Sequence, residues 1–368
     1  MSQKVTEFVN VVRSPMRKDS EGFPPLALLE MAMGYWASQA VYVAAELGIA
    51  DLLETGPRSC NDLARHTGTH PDSLCRLMRA LVSLGVFTAE DGNRFGLTST
   101  GQCLQSNTTG SMRAMVLTLG EEHYQAWAHL LHSVHTGMPA FDHAYGTTLF
   151  QYLAQNAAAG RTFDQAMANV TALASFAVAL AYPFSSFSTV VMLGRPRPLL
   201  RAILRTNPEL NGILFDVAPV IEEAKKYISA DGLAGRCAAV AGDFFRSLPR
   251  GANVYILKNL IHDWDDDRSA AILTNCQRAL ARNGRVLVVE TLMSPDSNRS
   301  FDSLMDLNML VISGGRERSE AEYRGLFDTA ESSMWLWRAV TRMWCSRRAS
   351  ITEFTSSLVS TKSPVAGT

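Results

Sequence analysis

Residues 188–217, STVVMLGRPRPLLRAILRTNPELNGILFDV, decide the fold. The run at 188–193 is apolar and β-branched, which is typical of a buried strand, and residues 198–208 read as a helix. The strand pattern returns at 211–217. A strand, a helix and a second strand in close succession predict a βαβ unit, whose two strands run parallel.

The same alternation continues toward the C-terminus. A helical segment, VIEEAKKYI, is followed by the strand-like segments CAAVAGDFF, ANVYILKNLIH and GRVLVVETLM. We therefore expect an α/β fold, with a Rossmann-like, doubly wound parallel sheet over residues 186–330. Ligands of such sheets bind at the carboxyl ends of the strands.

The N-terminal part of the chain has a different pattern. Residues 59–98 read as two short helices, a turn between them and a hairpin, which together predict a winged helix within a domain over residues 1–110. This fold suggests DNA binding. The second helix, however, offers only Arg76 and Arg79, and the hairpin tip is acidic, so a scaffold or dimerisation role is favoured.

Four further segments complete the predicted organisation. Residues 25–54 carry an apolar stripe from Leu26 to Leu47, which indicates either a dimer interface or an ordinary core helix. Residues 111–185 predict a helical connector that lines a substrate cleft. Residues 1–24 read as a mobile arm or half of a swapped element, and residues 331–368 form a tail without clear periodicity.

Composition excludes several classes of protein. Of the 368 residues, 47% are hydrophobic and 19% charged, and the formal net charge is −1, which excludes a disordered chain and a strongly basic nucleic-acid binder. The six cysteines form no CxxC pair, so buried free thiols are expected. No secretory leader or membrane-spanning segment is predicted, which leaves a cytoplasmic protein without a nucleic-acid or membrane partner.

Polar residues at the strand ends are the candidate chemical groups. Asp216 ends a strand and lies 22 residues after Gly194 (216 − 194), a spacing suited to holding ribose hydroxyls; the alternative is a helix cap. His262 follows a buried strand and is a candidate general base. Either Glu290 or Glu317 can accept a hydrogen bond from the other ring nitrogen of His262.

Histidines in the connector suggest a different chemistry. His129, His132 and His135 follow one another at three-residue spacing, which resembles a metal cluster. The run lacks a suitably spaced carboxylate, so amphipathic histidines are favoured and no metal site is predicted.

Several motifs together resemble a known family. They are RFGLTSTG, TGMPAFDHAYG, LFDVAPVIEEA, AGDFF, LKNLIHDWDD, GRVLVVE and GGRERSEAEY. From about residue 25 to about 330 the chain resembles the small-molecule O-methyltransferases that use S-adenosyl-L-methionine, of the plant phenolic, acetylserotonin and bacterial polyketide type.

The resemblance implies a role for each candidate residue. It makes His262 the general base, flanked by Glu290 and Glu317. For the cofactor it implies that Asp216 binds the ribose, that Asp243 and Phe244 lie along the adenine, and that Lys258 and Gly194 also contact it. It further implies a homodimer formed through the winged-helix domain. The predicted substrate is a small aromatic or polyketide-like hydroxyl compound, in a pocket lined by Trp127, His129, Phe141 and Met309.

The chain departs from the family pattern at two places. The family's first strand and turn read close to VVDVGGGxGxLL, whereas this chain has VVMLGRPRPLL, with Met192 at the acidic position and prolines at 196 and 198 that donate no N–H. The tail also differs from the two antiparallel strands of the family. Shifts of reading frame would explain both departures. An impaired homologue that acts as a dimeric binding or scaffold protein is therefore the alternative function.

Overall fold

The computed structural model describes residues 24–91, 93–194, 197–293, 301–330 and 335–336. The predictions for the N-terminal arm and for most of the tail lie outside these residues. The chain divides into two compact units, residues 1–124 and 125–368. No helix in the described part of the chain combines the length and the hydropathy that a membrane span needs.

The first unit is mainly helical. Its elements are α1 (Pro24–Ala32), α2 (Gly34–Glu46), α3 (Ile49–Leu52), β1 (Arg58–Ser59), α4 (Cys60–Thr67), α5 (Pro71–Ser83), β2 (Phe87–Glu90), β3 (Arg94–Leu97), α6 (Ser99–Gln102), α7 (Arg113–Gly120) and α8 (Glu122–Trp127), which runs into the second unit.

Helices α4 and α5 with the sheet β1-β3-β2 form the predicted winged helix. Ser59 caps α4 by accepting a hydrogen bond from the Asp62 N–H, and Pro71 opens α5, where its missing N–H is not needed. Strands β2 and β3 pair antiparallel, with Thr88 opposite Gly96. The two helices pack on a buried apolar cluster that includes Leu63 and Met78.

The cysteine prediction needs two corrections. Cys60 and Cys75 form a disulfide between α4 and α5, because the helix crossing brings their Cα atoms to 5.4 Å, within the bonding range. Cys103 is free but exposed, whereas Cys237 and Cys276 are the buried free thiols that the sequence predicted.

Large apolar side chains of α1 and α2 remain exposed in the single chain. They are Leu28, Leu29, Met31, Tyr35, Trp36 and Val43. The stripe predicted from Leu26 to Leu47 is therefore only partly used by the core of its own unit, since Ala44 and Ala45 are the residues of α2 that are buried.

The second unit begins with the helices of the connector and continues into the alternating fold. Its further elements are α9 (Leu130–Thr136), α10 (Ala140–Tyr145), α11 (Leu149–Gln155), α12 (Ala157–Ala181), β4 (Thr189–Leu193), α13 (Arg197–Thr206), β5 (Asn211–Asp216), α14 (Ala218–Ala230), β6 (Cys237–Ala241), β7 (Val254–Lys258), α15 (Asp266–Ala279), β8 (Arg285–Val289), α16 (Phe301–Ile312), α17 (Glu320–Thr329) and β9 (Trp335–Leu336).

The predicted doubly wound sheet is present, and its strand order is β6-β5-β4-β7-β8-β9. All five strands predicted from the apolar runs occur, and the neighbouring pairs run parallel. Two apolar clusters cover the sheet, one containing Met192 and the other Val191, as expected for strands buried on both faces. The strand order reverses beside β4, which opens a ligand crevice at the carboxyl edge.

The tail differs from its prediction at one described place. Trp335 and Leu336 form a short strand that pairs parallel with β8, opposite Leu287 and Val288. Because the tail lacks clear periodicity, the sequence predicts no strand there. A two-residue strand is too short to show period-two alternation, so pairing with an existing edge determines it.

Candidate active site

The strand-end histidine lies on a tight turn. Strand β7 ends at Lys258, and a short 3-10 turn, Ile261–Asp263, places His262 after it and before α15. Asp265 caps α15 by accepting a hydrogen bond from the Arg268 N–H at 2.8 Å. His262 is buried, with 10% of its side chain exposed.

Two carboxylates meet one nitrogen of the imidazole. Nδ1 of His262 lies 3.0 Å from Oε1 of Glu317 and 3.4 Å from Oε2 of Glu290. An ionised carboxylate only accepts hydrogen bonds, so Nδ1 carries the proton and its N–H donates a hydrogen bond to Glu317. In the neutral ring, Nε2 is then the basic nitrogen; the carboxylate of Asp263 lies 3.8 Å from it.

These charges change the acidity of the ring. Burial alone lowers the pKa of His262, but the negative charges of Glu290 and Glu317 outweigh burial and raise that pKa to about 10. Burial also raises the pKa of the Glu290 carboxyl above its ordinary value. The site therefore favours a proton on the imidazole.

Backbone contacts fix the turn that carries His262. The N–H groups of Leu260 and Ile261 both donate to Oε1 of Glu290 at 2.8 Å. The His262 carbonyl accepts a hydrogen bond from the Arg316 N–H at 2.8 Å. A Cβ added to Gly315 would overlap that same carbonyl oxygen, so the turn and the GGRERS loop approach at a distance that only glycine allows.

The predicted cofactor residues follow consecutive strands at the carboxyl edge. Gly194 follows β4 with a φ of +83°, Asp216 ends β5, and Asp243 lies two residues beyond β6. The carbonyl of Asp216 accepts the Gly242 N–H at 2.9 Å, which joins the ends of these strands. Lys258 ends β7, where its ammonium group donates to Oδ1 of Asn259 at 2.7 Å, and burial lowers its pKa to about 8.

The arrangement fits the adenosine end of S-adenosyl-L-methionine. Asp216 offers a buried carboxylate at the crevice, as a ribose requires. Phe244 adds an aromatic face, and its ring centroid lies 6.2 Å from that of Trp264. At the methionine end, Met192 is buried in the apolar core and Pro198 lies in the first turn of α13, while residues 195 and 196 lie outside the described part of the chain.

The four predicted substrate residues lie in different surroundings. The indole N–H of Trp127 donates to Oδ1 of Asn308 at 2.9 Å, and Met309 follows Asn308 on α16. Phe141 is fully buried in the apolar cluster that contains Val311. His129 is exposed. The structure thus places Trp127 against Asn308, the residue before Met309, and places Phe141 in the apolar cluster on which Trp127 packs.

The connector histidines form a ring cluster. His143 stacks on His132, with ring centroids 4.2 Å apart, and meets His129 edge to face at 5.1 Å. No group of three metal-ligating side chains suited to an ion occurs among the described residues.

Three residues that position the site were not predicted from the sequence. Asp306 on α16 accepts the Glu317 N–H at 2.9 Å, Gly315 admits the His262 turn, and Arg318 is buried beside it. Two of these residues, Gly315 and Arg318, belong to the GGRERS motif. Its paired glycines beside charged residues were the sequence signal that could have identified them.

Comparison with known proteins agrees with this geometry. An O-methyltransferase domain model matches residues 127–332, and an O-methyltransferase dimerisation domain model matches residues 29–107. The chain is 45% identical to the phenazine O-methyltransferase PhzM of Lysobacter antibioticus over 83% of its own length and 91% of the relative's.

Solved structures give the same result. The crystal structure of LaPhzM superposes with a TM-score of 0.81 at 44% identity, covering 83% of this chain and 92% of that one. An O-methyltransferase from neocarzinostatin biosynthesis, solved with S-adenosylmethionine and 2-hydroxy-5-methyl naphthoic acid, gives 0.71 at 34% identity, covering 80% and 90%. These relatives do not favour the alternative function, in which the chain is an impaired homologue that acts as a binding or scaffold protein. The chain belongs to the S-adenosyl-L-methionine-dependent O-methyltransferases that carry an N-terminal dimerisation domain.

Proposed function

We propose that this enzyme methylates a hydroxyl group on a fused-ring aromatic compound, with His262 as the general base. The observation that carries the proposal is the hydrogen bond of 3.0 Å between Nδ1 of His262 and Glu317. It orients the ring and leaves Nε2 as the atom that accepts the substrate proton.

The carboxylates beside His262 favour proton transfer from the substrate. A phenol has a pKa of about 10, whereas an ordinary histidine titrates near 6.5, so transfer between them is uphill by roughly 3.5 units. Glu290 and Glu317 raise the pKa of His262 to about 10, which favours transfer of the proton from the phenol. The same carboxylates stabilise the imidazolium formed when Nε2 takes the proton.

Cofactor binding is assigned to the strand ends. Asp216 holds the ribose, Asp243 and Phe244 flank the adenine, and Lys258 and Gly194 complete the contacts. When bound, S-adenosyl-L-methionine supplies a methyl carbon that its positively charged sulfur has activated for attack by a phenolic oxygen. The protein therefore contributes mainly orientation and the base.

The substrate class is inferred from the relatives and from the residues near α16. One relative is named for a phenazine, and one solved relative holds a bicyclic naphthoic acid. Trp127, hydrogen-bonded to Asn308, offers a flat aromatic face, and Met309 offers an adaptable apolar side chain, both suited to such rings. His129 and Phe141 remain predicted pocket residues.

We also propose that the enzyme is a homodimer. The dimerisation domain matches residues 29–107, and it includes most of the exposed apolar side chains of α1 and α2. A second copy of the same surface would remove these side chains from water.

A methyl-transfer assay tests the substrate class. The full chain is mixed with S-adenosylmethionine that carries a radiolabelled methyl group and with hydroxylated phenazines and naphthoic acids. We expect label in an O-methyl ether, and none with analogues that lack the hydroxyl. Label on nitrogen, or none with any hydroxylated compound, would contradict the proposal.

A further inference from the structure

A completely buried guanidinium lies beside the turn that carries His262. Arg318 has 0% of its surface exposed. Arginine is almost never fully buried unless its charge and its donors are satisfied. Arg318 directly follows Glu317, which bonds the imidazole, so the two side chains reach the site from one short segment.

The guanidinium holds both ends of the histidine turn. Nη1 donates to the carbonyl of Ile261 at 3.2 Å, and Nη2 donates to the carbonyl of Trp264 at 2.8 Å. These carbonyls lie immediately before His262 and two residues after it. The turn is therefore fixed at two points by one planar group, which a point-like ammonium could not do.

Asp266 holds the guanidinium group of Arg318 in place. Nε and Nη2 of Arg318 donate to Oδ1 of Asp266 at 3.0 and 2.7 Å. The Asp266 side chain is 58% exposed, whereas that of Arg318 is fully buried. The ion pair thus anchors the buried group from the surface.

The opposite side of the turn is held by a group of opposite charge. Glu290 accepts the N–H groups of Leu260 and Ile261, as described above. A carboxylate on the amide side and a guanidinium on the carbonyl side leave the turn little freedom to rotate. The position of the imidazole between Glu290 and Glu317 depends on this restraint.

We propose that Arg318 is a positioning residue for methyl transfer, whose contacts with Ile261 and Trp264 hold Nδ1 of His262 against Glu317. The inference rests on the proposed role of His262 as the base. It predicts that the guanidinium fork, and not merely a positive charge, is required at this position.

The test measures His262 directly in the full-length protein. Histidine is labelled with ¹³C in the ring, and the resonances are titrated by NMR; the His262 signal is identified by its absence in His262→Gln. The charged groups that face the ring are the carboxylates of Glu290, Glu317 and Asp263. In Arg318→Lys we expect the His262 titration midpoint to fall toward 6.5, because Nδ1 moves away from the carboxylates.

Turnover supplies the second measurement. With a hydroxylated aromatic that the wild-type enzyme methylates, Arg318→Lys should lower kcat about 10²-fold, while the affinity for S-adenosylmethionine stays within about twofold. Arg324→Lys is the matched control, since Arg324 is a partly exposed arginine that pairs with Glu320 on α17. It should change neither quantity.

A milder variant covers the possibility that Arg318→Lys does not fold. Asp266→Ala removes the anchor of Arg318 together with a longer ion pair to Arg316, and should shift the His262 midpoint in the same direction by a smaller amount. Substitution of its exposed neighbour, Asp267→Ala, should not shift it. A folded Arg318→Lys or Asp266→Ala with an unchanged midpoint would overturn the proposal. The NMR titration needs no methyl acceptor, so this failure is distinguishable from failure of the proposed function.

Discussion

Glu290 and Glu317 together favour the charged form of the His262 imidazole, and this determines how the reaction should depend on pH. A base must be neutral before it accepts a proton, whereas a raised pKa keeps His262 protonated at neutral pH. The rate should therefore rise with pH until His262 loses its proton. In Glu317→Gln one negative charge is lost, so the imidazolium is less stable and its pKa falls.

We expect the rising limb of kcat/KM against pH to move toward about 6.5 in Glu317→Gln, with a lower plateau, because the ring is less well oriented. Profiles of the wild type, of this variant and of Glu320→Gln, a carboxylate on the adjacent helix, make the comparison. An unchanged or higher apparent pKa in Glu317→Gln would refute this assignment.

Substitution of Gly315 tests the close approach between the GGRERS loop and the turn that carries His262. Gly315→Ala should destabilise the protein by about 1–3 kcal/mol and lower turnover, because the new methyl group would push the His262 carbonyl away. Gly325→Ala is the control, since a Cβ there meets nothing within 4 Å and Gly325 lies in helix α17. Denaturant unfolding and turnover measure both; equal effects of the two variants would contradict the account.

The positions of the candidate site residues at strand ends could be predicted from the sequence, but the residues that support them could not. His262 and Asp216 were visible because each follows an apolar run that reads as a buried strand. Arg318 was not, because its carbonyl partners lie 54 and 57 residues away in the chain, and no local pattern specifies such contacts. Gly315 was not predicted for the same reason, because the His262 carbonyl that it approaches is distant in the chain.

At the scale of elements, prediction was best where an element is long and apolar. Strands β4 to β8 followed from their runs, whereas the two-residue β9 did not. The disulfide between Cys60 and Cys75 also escaped prediction, because it depends on how α4 crosses α5 and not on either helix alone.

The loop after β4 should limit cofactor affinity. The prolines at 196 and 198 offer no N–H to the methionine carboxylate of the cofactor, so we expect two or three hydrogen bonds to that carboxylate to be lost, about 3–6 kcal/mol. Replacing residues 192–197 with Asp-Val-Gly-Gly-Gly-Arg-Gly should tighten S-adenosylmethionine binding by about 10²–10⁴-fold.

Calorimetric titration of the cofactor measures this change. Pro196→Gly alone should recover about 10-fold of the affinity, because it restores one N–H. Pro208→Gly, in the loop between α13 and β5 at the opposite edge of the sheet, is the matched control and should have no effect. Micromolar affinity in the unmodified chain would show that the loop is tolerated.

At the scale of the whole molecule, the exposed apolar face of α1 and α2 predicts self-association. Trp36 is 58% exposed, so Trp36→Glu should shift the protein from dimer to monomer at micromolar concentration in sedimentation experiments. Tyr227→Glu on α14 is the control, because Tyr227 is an exposed aromatic side chain outside the dimerisation domain. A wild-type monomer, or a dimer that survives Trp36→Glu, would argue against this interface.

The proposed mechanism depends on His262, which takes the substrate proton during methyl transfer. Its most direct test is the single-turnover rate of His262→Ala at saturating S-adenosylmethionine, with cofactor affinity measured in parallel and His135→Ala, an exposed histidine of α9, as control. We expect the rate of His262→Ala to be about 10²–10⁴-fold lower than that of the wild type, with unchanged cofactor affinity. A rate equal to that of the wild type would remove His262 from the mechanism.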